Sequence, residues 1–135
     1  MEARKTIKSF RDLDVYQRSY NAMLNVFKKL LTKLPASEKY DLKDQLSRSS
    51  KAVPRLIAEG FAKKHQKLGF KKYLDDALAE VNETMVGIDQ SRDLYDVDKD
   101  LCSGLNAEYE IIAKQLYRLA EAWVPFTRKE PDSYN

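Results

Sequence analysis

Glycine and proline are scarce in this chain, four of each in 135 residues. A small β protein turns about every 8–12 residues and uses both residue types to do so, so composition argues against an all-β fold. The glycine-rich turn that cradles nucleotide phosphates is missing, which removes the dinucleotide-binding and P-loop readings. A single cysteine, Cys102, cannot build an intrachain disulfide framework and points to a reducing compartment. A single histidine, His65, is too few for most metal sets and leaves little for triad chemistry. No apolar run approaches the about 20 residues of a membrane span, and the charged stretch 1–11 lacks the apolar centre of a signal peptide. No segment repeats at a fixed period or is low in complexity.

What remains is a chain with 43% hydrophobic and 33% charged residues and a mean hydropathy of −0.61. That balance suits one soluble domain with its own core. The 24 basic and 21 acidic side chains leave a formal charge of +3, too little alone to imply a nucleic-acid partner.

The apolar residues fall into four stripes whose steps alternate three and four. They run Leu13, Tyr16, Tyr20, Met23, Phe27, Leu30, Leu34; then Leu42, Leu46, Ser49, Val53, Leu56, Gly60. The third runs Phe70, Leu74, Ala77, Val81, Thr84, Ile88, Ser91, Tyr95, and the fourth Leu105, Tyr109, Ile112, Leu116, Leu119, Trp123. A mean period near 3.5 is the pattern of helices packed almost parallel or antiparallel. Breaks at Pro35, the lysine-rich 61–69 connection, Asp96–Asp98 and Pro125 predict helices over about 10–34, 37–61, 69–95 and 98–124, with a loose tail over 125–135. Ser37 and Asp98 are the expected caps of the second and fourth helices. Short connections make the expected architecture an all-α, up-down-up-down antiparallel four-helix bundle. Pro54 is expected to kink the second helix, with Ser49, Ser50 or water satisfying the freed carbonyl. Small seam residues (Ser49, Gly60, Ala77, Thr84, Ser91) either let the second and third helices approach closely or are compensated by the large residues of the first.

The segment from Gln45 to Gly60 resembles the second helix of the four helix bundle protein family, also called the 23S rRNA intervening-sequence protein family. Gln45, Leu46, Arg48, Val53, Pro54, Ile57, Ala58, Glu59 and Gly60 agree with its pattern. Phe10 through Gln17 resembles the family's opening, and Phe70, Tyr73, Leu74, Ala77 and Glu83 its third helix. Ala52 and Leu56 depart from it, standing where Ser and Asn are usual, and so do Lys63 and Ala79-Glu80. The resemblance implies a small cytoplasmic bacterial protein without established enzymatic activity and without a cofactor. Through the distantly similar accessory protein of diversity-generating retroelements, it also implies a homo-oligomeric ring, a pentamer, that associates with RNA or a ribonucleoprotein.

One local feature fits that expectation. Lys63, Lys64, Lys67, Lys71 and Lys72 occur with no acidic residue among them. In an up-down bundle they lie at the same end as Arg4, Lys5, Lys8 and Arg11, while the stretch 93–100, with four acids and one lysine, lies at the other. A concentrated basic end attracts phosphate and releases counterions. These nine residues are the candidate nucleic-acid contacts; a plain solvated lysine surface is the alternative. Asp76, Glu80 and Glu83 share one helical face and are the candidates for a metal-dependent enzyme, set against an exposed face pairing with Lys72 and its neighbours. A third reading is a protein-interaction scaffold without nucleic acid. Glu59, if buried, needs a partner such as Arg48, Lys63 or a tyrosine hydroxyl. Cys102 reads as a small helix-face residue and His65 as a surface side chain.

Overall fold

The 3.5-residue spacing coils into four α-helices: α1 over Asp14–Asn25, α2 over Leu42–Ala62, α3 over Gly69–Tyr95 and α4 over Lys99–Ser133. The structure, a computed structural model, describes residues 6–66 and 68–133, with side chains described through residue 123. Among the described residues there is no strand, and no helix is long and apolar enough to cross a membrane.

Side-chain contacts set the directions. Gly60, late in α2, meets Phe70 and Tyr73, early in α3, while Gly87, late in α3, meets Leu46, early in α2. Phe70 stacks edge-on against Trp123 of α4 at 4.8 Å, and Asn106 Nδ2 donates to Asp89 Oδ1 at 2.9 Å. The start of α1 (Asp14, Val15) lines a notch with Gln115, Arg118 and Leu119 of α4, and Arg18 forks onto Glu108 at 3.0 and 3.2 Å. Neighbouring helices therefore run antiparallel around one core. That core contains Val26, Leu46, Val53, Ile57, Phe70, Leu74, Val81, Ile88, Tyr109, Ile112 and Leu116, each 0–1% exposed.

Three of the four stripes lie at the core as the spacing predicts, but the first is displaced by one residue. Val15, Ser19, Ala22 and Val26 face inward, while Tyr16 is half-buried and Tyr20 is 42% exposed. The rings pack along the rim, Tyr16 edge-on to Phe10 at 4.9 Å and beside Tyr20 at 5.9 Å. Small residues let α1 seat on its neighbours, so the wide apolar stripe belongs partly to the seam edge. The first helix is also broken into pieces: a 3-10 turn over Phe10–Asp12, α1, a π turn over Val26–Leu30 and a 3-10 turn over Leu31–Lys33. The π turn rephases the chain so that Leu30 and Leu34 return to the core.

Small residues on α2 and α3 do bring those helices together. Ser49, Gly60, Ala77, Thr84 and Ser91 are all buried, and Ser49 Oγ and Thr84 Oγ1 lie 2.8 Å apart across the seam. Helix α2 passes through Pro54 without interruption. Ser49 Oγ accepts from Thr84 Oγ1 and Ser50 donates to the Leu46 carbonyl at 2.6 Å, and among the described hydrogen bonds neither hydroxyl donates to the Ser50 carbonyl that Pro54 frees. The start of α2 is later than expected because Glu38, not Ser37, provides the side-chain oxygen, accepting from Leu42 N at 2.9 Å. Asp98 caps α4 as its position predicts, accepting from Asp100 N and Leu101 N at 2.9 and 3.3 Å. Helix α4 continues through Pro125 and Pro131 to Ser133, past the stop expected near 124; proline's fixed φ is compatible with a helix, while each ring removes one backbone donor and crowds the carbonyl four residues back.

Candidate nucleic-acid interface

The α2–α3 connection is built as a tight turn. Lys63 N donates to the Gly60 carbonyl at 2.9 Å, Gln66 N to Lys63 at 3.0 Å, and Gly69 N to Gln66 at 3.1 Å. Leu68 takes the left-handed conformation with φ 64°, which costs a branched side chain about 1–2 kcal/mol. A Cβ at Gly69 would stand 2.6 Å from the Lys63 carbonyl oxygen, so the turn closes only around glycine there. Trp123 fastens it from α4, its ring against Phe70 and its Nε1 donating to the Lys64 carbonyl at 3.3 Å. Phe61 and Phe70 complete an aromatic floor at 6.0 Å.

Lysines stand on that floor. The Lys64 ammonium lies 4.3 Å from the centroid of Phe61 and that of Lys63 5.6 Å from Tyr73. Lys63, Lys64 and Lys72 are exposed and form no ion pair with a described residue. Lys71 is different, half-buried and bound to Asp75 at 3.1 Å. His65 is exposed beside them. Lys8 and Arg11 lie at the start of the chain's first turn, which packs on α2; Arg11 covers the Phe10 ring at 4.6 Å and its carbonyl accepts from Gln17 Nε2 at 2.7 Å. Lys67, Arg4 and Lys5 lie outside the described residues. The turn thus carries Lys63 and Lys64, Lys72 follows in the first turn of α3, and Lys8 and Arg11 lie at the same end of the bundle but on another element.

The opposite end is acidic. Arg92 holds Asp93 at 2.7 Å and reaches Asp89 at 3.4 Å, and the Arg92 hydrogen bond keeps the Asp93 carboxyl below its usual range. Glu38 accepts a short hydrogen bond from the Tyr95 hydroxyl. Asp96 turns the chain with a positive φ of 53°.

The family-pattern residues split in two. Pro54, Ile57 and Gly60 are core, and Ala58 is half-buried. Gln45, Arg48 and Glu59 face solvent. Glu59 is therefore not the buried carboxylate considered from sequence; its place on the outer side of α2 leaves it hydrated. Gln45 and Arg48 line an open groove of about 740 Å³ with Ser49, Ala52, Arg55, Glu80 and Glu83, a feature that sequence reading missed because its two walls are 35 residues apart.

On α3, Asp76 and Glu83 are exposed and Glu80 half-buried. None of the three forms an ion pair with a described residue, and the lysine pair on this helix is Lys71–Asp75. Burial first, and then Glu83 and Asp76, raise the Glu80 carboxyl above its ordinary range. Among the described residues no group of three His, Cys, Asp or Glu side chains converges to hold a metal ion. Cys102 is fully buried in the core, and burial raises its thiol.

A search of curated proteins returns no match for this sequence. Among solved structures, a protein of unknown function from the S23 ribosomal protein family of Bacteroides thetaiotaomicron is similar in fold, with a TM-score of 0.69 at 20% identity over 78% of this chain and 97% of that one. The family model described as 23S rRNA-intervening sequence protein matches residues 11–118. With that match covering most of the chain, and with four α-helices folded as the neighbour's are, the protein belongs to the 23S rRNA-intervening sequence protein family.

Proposed function

We propose that this protein is a non-enzymatic, homo-oligomeric four-helix bundle of the cytoplasm that binds the phosphate backbone of RNA, free or in a ribonucleoprotein, through its basic end. A closed ring of parallel copies, five by the family resemblance, would place the basic ends on one face. The observation that carries the reading is the set Lys63, Lys64 and Lys72, exposed and free of carboxylate partners among the described residues, the first two on a turn held by Gly69 and Trp123 and the third in the first turn of α3. Unpaired ammonium groups on a fixed backbone need give up no internal ion pair to engage phosphate. Lys71 takes part at the cost of its Asp75 contact.

Titration of a structured RNA at several salt concentrations tests this. Affinity is expected to fall with salt, and replacing Lys63, Lys64 and Lys72 by alanine is expected to lower the slope of log K against log salt by about 2, at about 0.7 per phosphate contact with single-stranded segments. Binding that ignores salt, or that survives alanine at all five lysines of the 63–72 stretch, ends this mechanism. Capture of one protein that persists after nuclease treatment, with no RNA bound, replaces it with the protein-scaffold reading.

A further inference from the structure

The groove between α2 and α3 has a mainly basic α2 wall, Arg48, Lys51 and Arg55 with the single acid Asp44, and an acidic α3 wall, and the two walls do not neutralise each other. Arg48 turns back along its own helix to Asp44 at 3.2 Å. Arg55 has no ion pair with a described residue, and no ion pair crosses the groove among the described residues. On the facing wall stand Glu80 and Glu83, with Asp76 one turn before Glu80 on the same helix, and Glu80 is held toward its neutral form by burial and by those neighbours. The floor between the walls is small or apolar, with Ser49 and Ala52 on α2 and the half-buried Leu56 alongside.

The register of the two helices gives this arrangement a geometric consequence. Gly60 against Tyr73, Ser49 against Thr84 and Leu46 against Gly87 define a single antiparallel register. At 1.5 Å per residue, Arg48 then stands within about 3 Å in height of Glu83, and Arg55 within about 3 Å of Asp76 and Glu80. Rotation about an axis parallel to the helices leaves every residue at its own height. When α2 of one copy is laid against α3 of the next by such a rotation, the arginines meet the carboxylates level for level.

We propose that this face is the contact between copies of this chain in an assembly whose symmetry axis runs along the bundle, with Arg48 and Arg55 of one copy paired to Glu83 and Asp76 of the next. The inference rests on the homo-oligomeric reading above and names its surface. A second copy is the occupant because it presents the inverse charges at matching heights; RNA is repelled by the acidic wall. Exposed ion pairs supply little affinity themselves and chiefly set register and partner choice, while burial of Leu56, Ala52 and the 54%-exposed Val86 supplies the attraction. The same rotation brings all the basic turns to one face.

The test uses the full chain in native mass spectrometry and light scattering, with thermal melts confirming folding. The wild-type chain is expected to assemble, and more weakly at high salt. Arg48→Glu with Arg55→Glu, or Asp76→Arg with Glu83→Arg, is expected to give folded monomers; the four exchanges together in one chain are expected to restore assembly. The gentler pair Arg55→Gln and Glu83→Gln is expected to raise the concentration needed for assembly. A monomeric wild-type chain overturns both this face and the oligomer reading. An oligomer indifferent to the one-sided reversals, or a folded four-way exchange that stays monomeric, overturns this face alone. The lysine-dependent salt slope for RNA is read separately on the same monomers and stands or falls without it.

Discussion

A methyl group at position 60 would stand 2.6 Å from Tyr73 Cβ and 2.9 Å from Phe70 Cδ1. Tyr73 Cβ cannot move without its backbone, so Gly60→Ala is expected to force α2 and α3 apart and cost about 1–3 kcal/mol. At Gly87 the obstacles are Leu46 Cδ2 at 2.6 Å and Cγ at 2.8 Å, side-chain atoms that move without the backbone. Gly87→Ala is expected to cost less, since Leu46 can rotate and alanine recovers about 1 kcal/mol of helix propensity. Gly104 has nothing within 4 Å of its missing Cβ, and Gly104→Ala is expected to stabilise by about 1 kcal/mol. Urea unfolding of the three variants checks the order; equal effects at 60 and 104 would show that close approach is not what glycine serves here. Gly60 was legible in the sequence because it falls on the apolar stripe. Gly87 was not, because it lies between Thr84 and Ile88 and its role exists only when Leu46 of another helix arrives. The same reason hid the inward turn of Ser19 and Ala22, whose neighbours Tyr16 and Tyr20 carry the stronger hydrophobic signal.

At the scale of elements, α2, α3 and α4 followed the period closely, and the caps decided their ends. Glu38 shows how. Its carboxylate accepts from the Tyr95 hydroxyl at the end of α3 and from Leu42 N at the start of α2, and the Tyr95 hydrogen bond foremost, then the Leu42 one, lowers its pKa. A carboxyl whose folded pKa is depressed adds stability that is present above the ordinary glutamate range and lost as pH falls through the lower folded value. Glu38→Gln is therefore expected to lower the denaturation midpoint at neutral pH, with the gap to wild type closing as the solution is acidified below that range. A gap that persists unchanged into strong acid would mean that ionisation of Glu38 does nothing for the latch. The nearby Ser37 was the residue that capping preferences favoured; the chain instead makes a short 3-10 turn over Ala36–Glu38 and uses a longer side chain from one residue on. Local preference named the right place and missed the partner, because Tyr95 is 57 residues away.

For the whole molecule, a small net charge conceals a polar body. The lysine turn occupies one end, with Lys8 and Arg11 near the chain start, and Asp93, Asp96, Asp98 and Asp100 the other. Trp123, the single tryptophan, joins that basic end to the core through Phe70 and the Lys64 carbonyl. Trp123→Ala is expected to cost about 2–3 kcal/mol, below the about 3–5 kcal/mol of a fully buried ring because this one is half-buried, and to weaken RNA binding without changing any charge. Trp123→Phe, which retains the ring stack, is expected to recover most of the stability. Thermal unfolding and RNA titration of both variants check this; unchanged RNA affinity in a folded Trp123→Ala protein would show that the turn needs no anchor.

The helical class, three of the four buried faces, the Asp98 cap and the separation of charge along the chain were legible in the amino-acid order, because periodicity, capping and charge runs are local properties that survive without a fold. What required the folded chain is which residue of α1 faces inward, that among the described residues Lys63, Lys64 and Lys72 have no carboxylate partner while Lys71 is engaged, that Glu59 is solvated, and that Arg48 and Arg55 look across a groove at Glu80 and Glu83. Each of those depends on what another helix places within a few ångströms, and the fixed register of α2 against α3 carries that information where no single segment does.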